Sequence, residues 1–290
     1  MNDQAEILRK RLKRHEAGKT TKTIAVVSGK GGVGKSNFSL NFSVALAQTG
    51  ISVLVFDMDI GMGNLNILMG SSSDYTIVDY FSGRAGLADI VSKGPEGMDY
   101  IAGGTGLSQV FKLEDHKVEK FVEDLTMVID DYDYLLFDMG AGINEESLKF
   151  LRSVHEVFVV TTPEPTSITD AYSIMKYIHL LDSEIPLKII VNRAFSEQEG
   201  LDTQQRLMAV SRRFLGRELS TLGVVPDDRN VQLAVARQTP LLVYNDKAAA
   251  ARAIKEIARR HVNLAVDRSE NSASRGFHFV SRLKRFLFER

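Results

Sequence analysis

Six short apolar runs alternate along the chain with stretches whose apolar positions repeat at a helical period. The runs are TIAVVS (23–28), SVLVF (52–56), YLLF (134–137), VFVVT (157–161), KIIV (188–191) and LGVV (222–225). Each is nearly continuous in apolar and β-branched residues, as a strand buried on both faces must be, and together they predict a parallel sheet covered by helices on both sides. The helical stretches fall at 37–49, 115–130, 166–181, 202–216 and 246–265. In the last of these, Ile254, Ile257, Ala258 and His261 recur at i, i+3, i+4 and i+7, which makes His261 a helix-face histidine rather than a ligand. The expected class is α/β, with one doubly wound, mostly parallel sheet over residues 23–266.

Both ends of the chain depart from this pattern. The stretch DRSENSASRG (267–276) is polar, serine-rich and aperiodic, as expected of a flexible linker. It separates the core from a tail at 277–290, and residues 1–22 form a separate head. Charge sharpens the division. Residues 1–22 carry seven Lys/Arg against three Asp/Glu and residues 275–290 five against one, so a net −1 over the chain leaves −9 in the middle. Two basic ends on an acidic body read either as solvated extensions or as docking segments.

Composition otherwise narrows the choice. With 44% hydrophobic and 25% charged residues the chain is ordinary for a globular domain, and no apolar run approaches the ~18 to 20 residues of a membrane span. The start MNDQAEILRKRLKR is charged from its first residues and has no apolar core of a secretory signal, so the cytoplasm is the expected compartment. The absence of cysteine excludes disulfides, Cys-ligated zinc and Cys-held iron–sulfur clusters.

The chemistry gathers at strand ends, where open α/β sheets bind ligands. After the first strand, SGKGGVGKSN (28–37) contains G-x-x-x-x-G-K-[ST] at Gly29, Gly34, Lys35 and Ser36, a loop whose amides and lysine cradle phosphate and whose hydroxyl ligates Mg²⁺. Lys30 is one lysine more than that pattern needs. After the second strand, Asp57 and Asp59 are two carboxylates one residue apart, read either as surface groups of a turn or as facing a metal and a water. After the third, Asp138 follows four apolar residues and precedes small ones, the place from which an aspartate holds a magnesium shell. KIIVNRAF delivers Asn192 and Arg193, and GVVPDDRN delivers Pro226 and Asp227. An asparagine amide there matches the paired donor and acceptor edges of adenine, or is simply a strand-end residue.

GKGGVGKS resembles the deviant Walker A loop K-G-G-x-G-K-[ST] of the MinD/ParA ATPases, DMDIGMGNLNILMG is similar to their switch I, and DMGAGI to their switch II. The three stand in matching order over about 20–265, so the resemblance covers the whole core and implies a MinD-like P-loop NTPase domain. The family includes iron–sulfur members, which a chain without cysteine cannot join. The resemblance implies ATP/ADP and Mg²⁺ as cofactors. Gly29, Lys30, Gly31, Gly32, Val33, Gly34, Lys35, Ser36 and Asn37 would surround the phosphates, and Asn192, Arg193, Pro226 and Asp227 the base. Ser36, Asp57 and Asp138 would surround the metal, and Asp59 would orient the attacking water. Lys30 matches the family's signature lysine, which crosses an ATP-bridged homodimer to the partner's nucleotide. Lys30, Lys35 and Asp59 are then the catalytic set.

The tail FHFVSRLKRFLFER has its own logic. At 100° per residue Phe279, Val280, Leu283, Phe286 and Leu287 fall within about 120°, while Arg282, Lys284 and Arg285 lie opposite. A basic amphipathic helix on a linker reads as an in-plane anchor to an anionic membrane, or as a helix docked on its own core. Five apolar side chains at roughly 1.5 to 3 kcal/mol each nearly cancel the ordering of ~12 residues at ~1 to 2 kcal/mol each. About 1 kcal/mol per basic residue near anionic lipid then decides the balance, so membrane residence is expected to be peripheral and reversible. MinD proteins have a similar targeting helix.

In the head, Asp3, Gln4, Ala5, Leu8 and Arg9 are similar to a D-Q-A-x-x-L-R element of the flagellar branch of this family. That resemblance implies docking on FlhF, an SRP-type GTPase, with flagellar C-ring (switch) proteins as further partners. Composition alone makes the segment a charged extension. Other functions stay open: a division-site MinD, against which the head speaks, and a scaffold that binds nucleotide without hydrolysing it, against which Asp59 speaks. A ParA-like partition ATPase could use Arg206, Arg212, Arg213 and Arg217 on DNA phosphates, but the acidic core disfavours it.

Overall fold

The computed structural model describes residues 21–59, 65–103, 115–140, 150–269 and 278–288. Eight strands form one sheet: β1 (Lys22–Val27), β2 (Val53–Met58), β3 (Val91–Lys93), β4 (Asp99–Ile101), β5 (Tyr134–Met139), β6 (Glu156–Thr161), β7 (Leu187–Ala194) and β8 (Ser220–Pro226). Their order is β3-β4-β2-β5-β1-β6-β7-β8. All pairs are parallel except β3 with β4. The chain moves from β1 to one side, returns at β5 and leaves to the other side at β6. The crevice at that reversal lies beside β1, where doubly wound sheets bind their ligands.

The helices are α1 (Lys35–Ala47), α2 (Leu65–Met69), α3 (Ile77–Phe81), α4 (Asp115–Ile129), α5 (Pro165–Leu181), α6 (Glu197–Leu215), α7 (Arg229–Ala236), α8 (Leu241–Tyr244), α9 (Ala249–Ser269) and α10 (His278–Phe288). They divide the core into two layers. On one face Val122, Leu125 and Ile129 of α4, Ile174 and Ile178 of α5 and Leu207 of α6 pack on Leu135, Phe137, Val159 and Ile189. On the other, Phe38 and Phe42 of α1 and Ile254 and Ile257 of α9 pack on Ile24, Val55, Phe158 and Ile190. Helix α1 is buried nearly all round, so its polar side chains are satisfied along its own backbone: Ser39 and Ser43 donate to the carbonyls of Lys35 and Ser39, and Asn41 to that of Asn37.

The six expected strands and five expected helices are present with shifted ends. β3 and β4 are three residues each and too short to form a recognisable apolar run. α6 begins five residues before the expected 202, because Ser196 caps it by accepting from the Glu199 amide at 3.1 Å. The core is wider than 23–266. Thr21 is buried and donates to the carbonyls of Ile129 and Tyr132 at 2.9 and 2.7 Å, β1 starts at Lys22, and α9 continues through 267–269, the first part of the expected linker. The positions Asp3, Gln4, Ala5, Leu8 and Arg9 lie outside the described residues, as do 270–277.

His261 is a helix-face histidine, as expected, and fully buried. Its ring lies 3.0 Å from Glu156, which also pairs with Lys22 at 3.0 Å and Lys188 at 2.6 Å. This knot ties α9 to the ends of β1, β6 and β7 opposite the ligand crevice.

Of the two readings of the tail, the structure has the docked one. α10 buries Phe279 and Leu283 in the α4 layer, and Phe279 stacks on Phe137 at 5.5 Å and meets Phe150 edge-on at 6.0 Å. Arg282, Lys284 and Arg285 face outward. The side chains of Val280, Phe286 and Leu287 lie outside the described set.

Candidate nucleotide site

The loop between β1 and α1 turns sharply, with Gly32 and Gly34 at φ 80° and 89°. At Gly34 the left-handed backbone coincides with a neighbour: a Cβ would stand 2.3 Å from Asn192 Nδ2, so only glycine fits there. Asn192 reaches across from the end of β7 and donates to the Val33 carbonyl at 2.8 Å. Its Nδ2 thereby holds the loop, and Oδ1 remains as an acceptor. An acceptor at that point suits the exocyclic amino group of adenine rather than the carbonyl of guanine.

Lys35 is buried in the crevice. Its ammonium group donates to Asp138 Oδ1 at 2.7 Å and Ser36 Oγ at 3.2 Å, and Ser39 donates to the same Oδ1 at 2.9 Å. Parallel pairing of β2 with β5 sets Asp57 directly beside Asp138. Two buried carboxylates side by side cannot both ionise cheaply: burial first and Asp138 second push Asp57 up to about 7. Asp57 accepts from the amides of Asp59 and Leu65 at 3.0 and 3.3 Å, which fixes where the chain leaves β2 and where α2 begins. Asp59 Oδ1 stands 3.3 Å from where a Cβ of Gly140 would be, so the two expected switch segments start against each other. Residues 60–64 and 141–149, the rest of those segments, lie outside the described residues.

A magnesium ion fits this donor set. Asp138 Oδ2 is buried without a hydrogen-bond partner, Asp57 carries an acid that a cation would deprotonate, and Ser36 presents a hydroxyl at the mouth. Such an ion would neutralise both carboxylates and the nucleotide's phosphates, leaving Lys35 free to move from Asp138 toward phosphate.

Lys30 stands apart from this cage. Its side chain is 37% exposed and donates to Glu164 at 3.0 Å and Thr166 at 3.1 Å, where α5 begins. The Lys30 ammonium, as hydrogen-bond donor and then as charge, holds the Glu164 carboxyl below its usual range. Arg193 adopts φ 55°, reaches the Gly32 carbonyl at 3.5 Å and approaches Asp227 at 3.9 Å. The Asp227 amide donates to the Ala194 carbonyl at 2.9 Å, which joins the ends of β7 and β8. Lys35, Ser36, Asp57 and Asp138 therefore share one crevice, Asn192 and Arg193 reach its loop from β7, Lys30 stands at its rim, and the tail residues Phe279 and Leu283 lie elsewhere, in the α4 layer. Ser39, Glu164 and Thr166 were not anticipated; TTPEPT after an apolar strand, with proline opening a helix, is the signal that points to the last two. Of the four arginines considered for DNA, Arg217 lies beyond the end of α6, Arg212 is paired with Glu218 at 2.7 and 2.9 Å, and Arg213 lies over the Phe214 ring at 5.2 Å.

A central strand, a glycine-rich loop with its lysine, and aspartates on the adjacent strands define a P-loop NTPase. The family model for ParA, described as NUBPL iron-transfer P-loop NTPase, matches residues 19–262. The antiactivator FleN of Pseudomonas aeruginosa is 34% identical over 82% of this chain and 85% of its own. The flagellum site-determining protein YlxH of Helicobacter pylori is 36% identical over 71% of this chain and 69% of its own. Among solved structures, the septum site-determining protein MinD of Pyrococcus horikoshii, complexed with Mg-ADP, superposes with a TM-score of 0.70 at 27% identity, over 84% of this chain and 97% of that one. The chain belongs to the ParA family of P-loop NTPases, and within it resembles the flagellar proteins FleN and YlxH, also called FlhG. Without cysteine it carries no Cys-held iron cluster.

Proposed function

We propose that this protein is an ATPase of the MinD type that dimerises on ATP, associates reversibly with the inner face of the cell membrane and regulates flagellar number and placement. The observation that carries the proposal is the division between two lysines. Lys35 is enclosed with Asp138 and serves the phosphates of its own chain. Lys30 stands at the rim on Glu164 and Thr166, partly exposed and within reach of a second copy. When ATP is hydrolysed, water attacks the γ-phosphorus, the bond to the β-phosphate oxygen breaks and ADP leaves. Asp59 orients that water, and a cation delivered by the partner stabilises the charge that develops. Ser36, Asp57 and Asp138 would hold a magnesium ion, which when bound would supply charge neutralisation on the phosphates.

The docked α10 supports reversible membrane association, since the core and a lipid surface compete for the same apolar face while the basic face stays in solvent. The printed names of the FleN and YlxH relatives support the flagellar role, and the head element supports FlhF as a partner, with C-ring proteins as further ones. Ion pairing on α6 and the acidic core speak against DNA as a partner. Co-sedimentation with anionic liposomes and with DNA, with and without ATP, tests the reading. ATP-dependent recovery with liposomes is expected. ATP-dependent recovery with DNA alone would replace this function by partition, and addition of a peptide of residues 1–22 to FlhF is expected to raise GTP turnover.

A further inference from the structure

β7 ends in a bulge just before an exposed phenylalanine. Up to Val191 its side chains alternate: Ile189 and Val191 face the α4–α6 layer and Ile190 the α1–α9 layer. Asn192 continues on that second side, where it meets Val33 of the phosphate loop. Val191 pairs with Val224 and Ala194 with Pro226, so between these pairs β7 carries one residue more than β8. Arg193 takes up the extra residue at φ 55°. The insertion reverses the alternation: Ala194 returns to the α4–α6 layer, and the same alternation carried one residue further places position 195, just past the end of β7, on the side of Asn192 and the loop. In an unbulged strand, residues 192 and 195 would face opposite sides.

Phe195 is 85% exposed, more than any other large apolar side chain among the described residues. No ring contact of the described residues involves it. Its backbone is nevertheless fixed, because its amide donates to Glu199 at 2.8 Å, Ser196 caps α6 and the Ala194 carbonyl accepts from Asp227. An apolar residue just before a helix cap commonly packs on the fourth helical residue. Here that residue is Gly200, where a Cβ would stand 2.3 Å from Val224. The ring thus has no local partner, while its backbone is fixed where the ends of β7 and β8 meet.

We propose that Phe195 is the stacking platform for the nucleotide base: Asn192 reads the amino edge of adenine and the Phe195 ring covers one face. The proposal rests on the nucleotide reading above. Stacking tolerates any base, so Phe195 supplies affinity and Asn192 discrimination. Phe195→Ala is expected to weaken binding of ADP with Mg²⁺ by roughly 5- to 150-fold, the range for loss of one base–aromatic stack at 1.4 kcal/mol per decade. Binding of inorganic triphosphate should be unchanged. The chain has no tryptophan, so Phe195→Trp creates a single reporter whose emission adenine nucleotides should quench and triphosphate should not. ADP affinity of Phe195→Ala equal to wild type, with no quenching of F195W by ADP, overturns the proposal. Quenching that appears only with ATP and rises with protein concentration also overturns it, in favour of a subunit contact. Wild-type protein that binds neither nucleotide removes the site reading itself, and is distinguished by that measurement alone.

Discussion

At the scale of single residues the site is a set of charges whose positions oppose one another. Asp57 stands in the fold with its pKa raised from 3.8 to about 7. Its contribution to stability is therefore present below about pH 4 and lost as pH rises through about 7. Asp57→Asn should stabilise the nucleotide-free protein at pH 8 by about 1 to 3 kcal/mol while weakening Mg²⁺-dependent nucleotide binding, a trade expected where function sets the charges. Chemical denaturation at pH 5.5 and 8 checks it, since the gain should be smaller at the lower pH. Lys30→Ala should leave ADP affinity within about twofold but remove ATP-dependent dimerisation and lower turnover by roughly 10³. Calorimetry, light scattering and phosphate release measure the three, and wild-type turnover in the variant at every protein concentration would refute the role in trans. The loop lysines and aspartates were legible in the sequence because each follows an apolar strand. The resting partner of Lys30 was not, since Glu164 lies far along the chain and only the sheet order brings the end of β6 beside the loop.

At the scale of elements, two attachments matter. The first is the knot that fastens α9. Burial alone would raise Glu156, but His261, Lys22 and Lys188 outweigh it and hold that carboxyl well below its usual range, whereas burial lowers His261 against the pull of Glu156. For both groups the unfolded chain takes up protons more readily than the fold. Stability is then full above about pH 6.5 and falls on acidification, first as unfolded histidine protonates and further below about pH 4.3. Glu156→Ala should cost about 3 to 5 kcal/mol by taking the carboxylate from the buried Lys188, and thermal melts from pH 4 to 8 should show a flatter acid limb in the variant. The second attachment is α10. Phe150→Ala removes an aromatic from its seat and should loosen the helix, at a cost of about 3 to 5 kcal/mol overall. Nucleotide-independent liposome binding is expected to rise in that variant, and binding no greater than that of a chain truncated before residue 278 would show that the helix is not a membrane element. Helical periodicity revealed the amphipathic face of α10, but the identity of its partner surface depends on Phe137 and Phe150, which no local pattern connects to it.

At the scale of the whole molecule, one sheet carries phosphate chemistry at one pole, a charged knot at the other and a docked helix along one layer. Because Phe279 stacks on Phe137, the residue before Asp138, and meets Phe150, the residue after 141–149, the docked helix touches both flanks of the expected switch II. No helix among the described residues is long and apolar enough to cross a membrane. The α/β class, the central strands, the phosphate loop and the aspartate at the end of β5 were already legible in the sequence, because strand burial and phosphate binding leave short, local and strict patterns. The amphipathic, basic character of α10 was legible there too. It took the folded sheet to settle which layer α10 covers, how far Asp57 is driven from its ordinary ionisation, and that β7 gains a residue over β8 between Asn192 and Phe195. These depend on which strands become neighbours and on one inserted residue at Arg193, relations between distant parts of the chain that periodicity along it does not record.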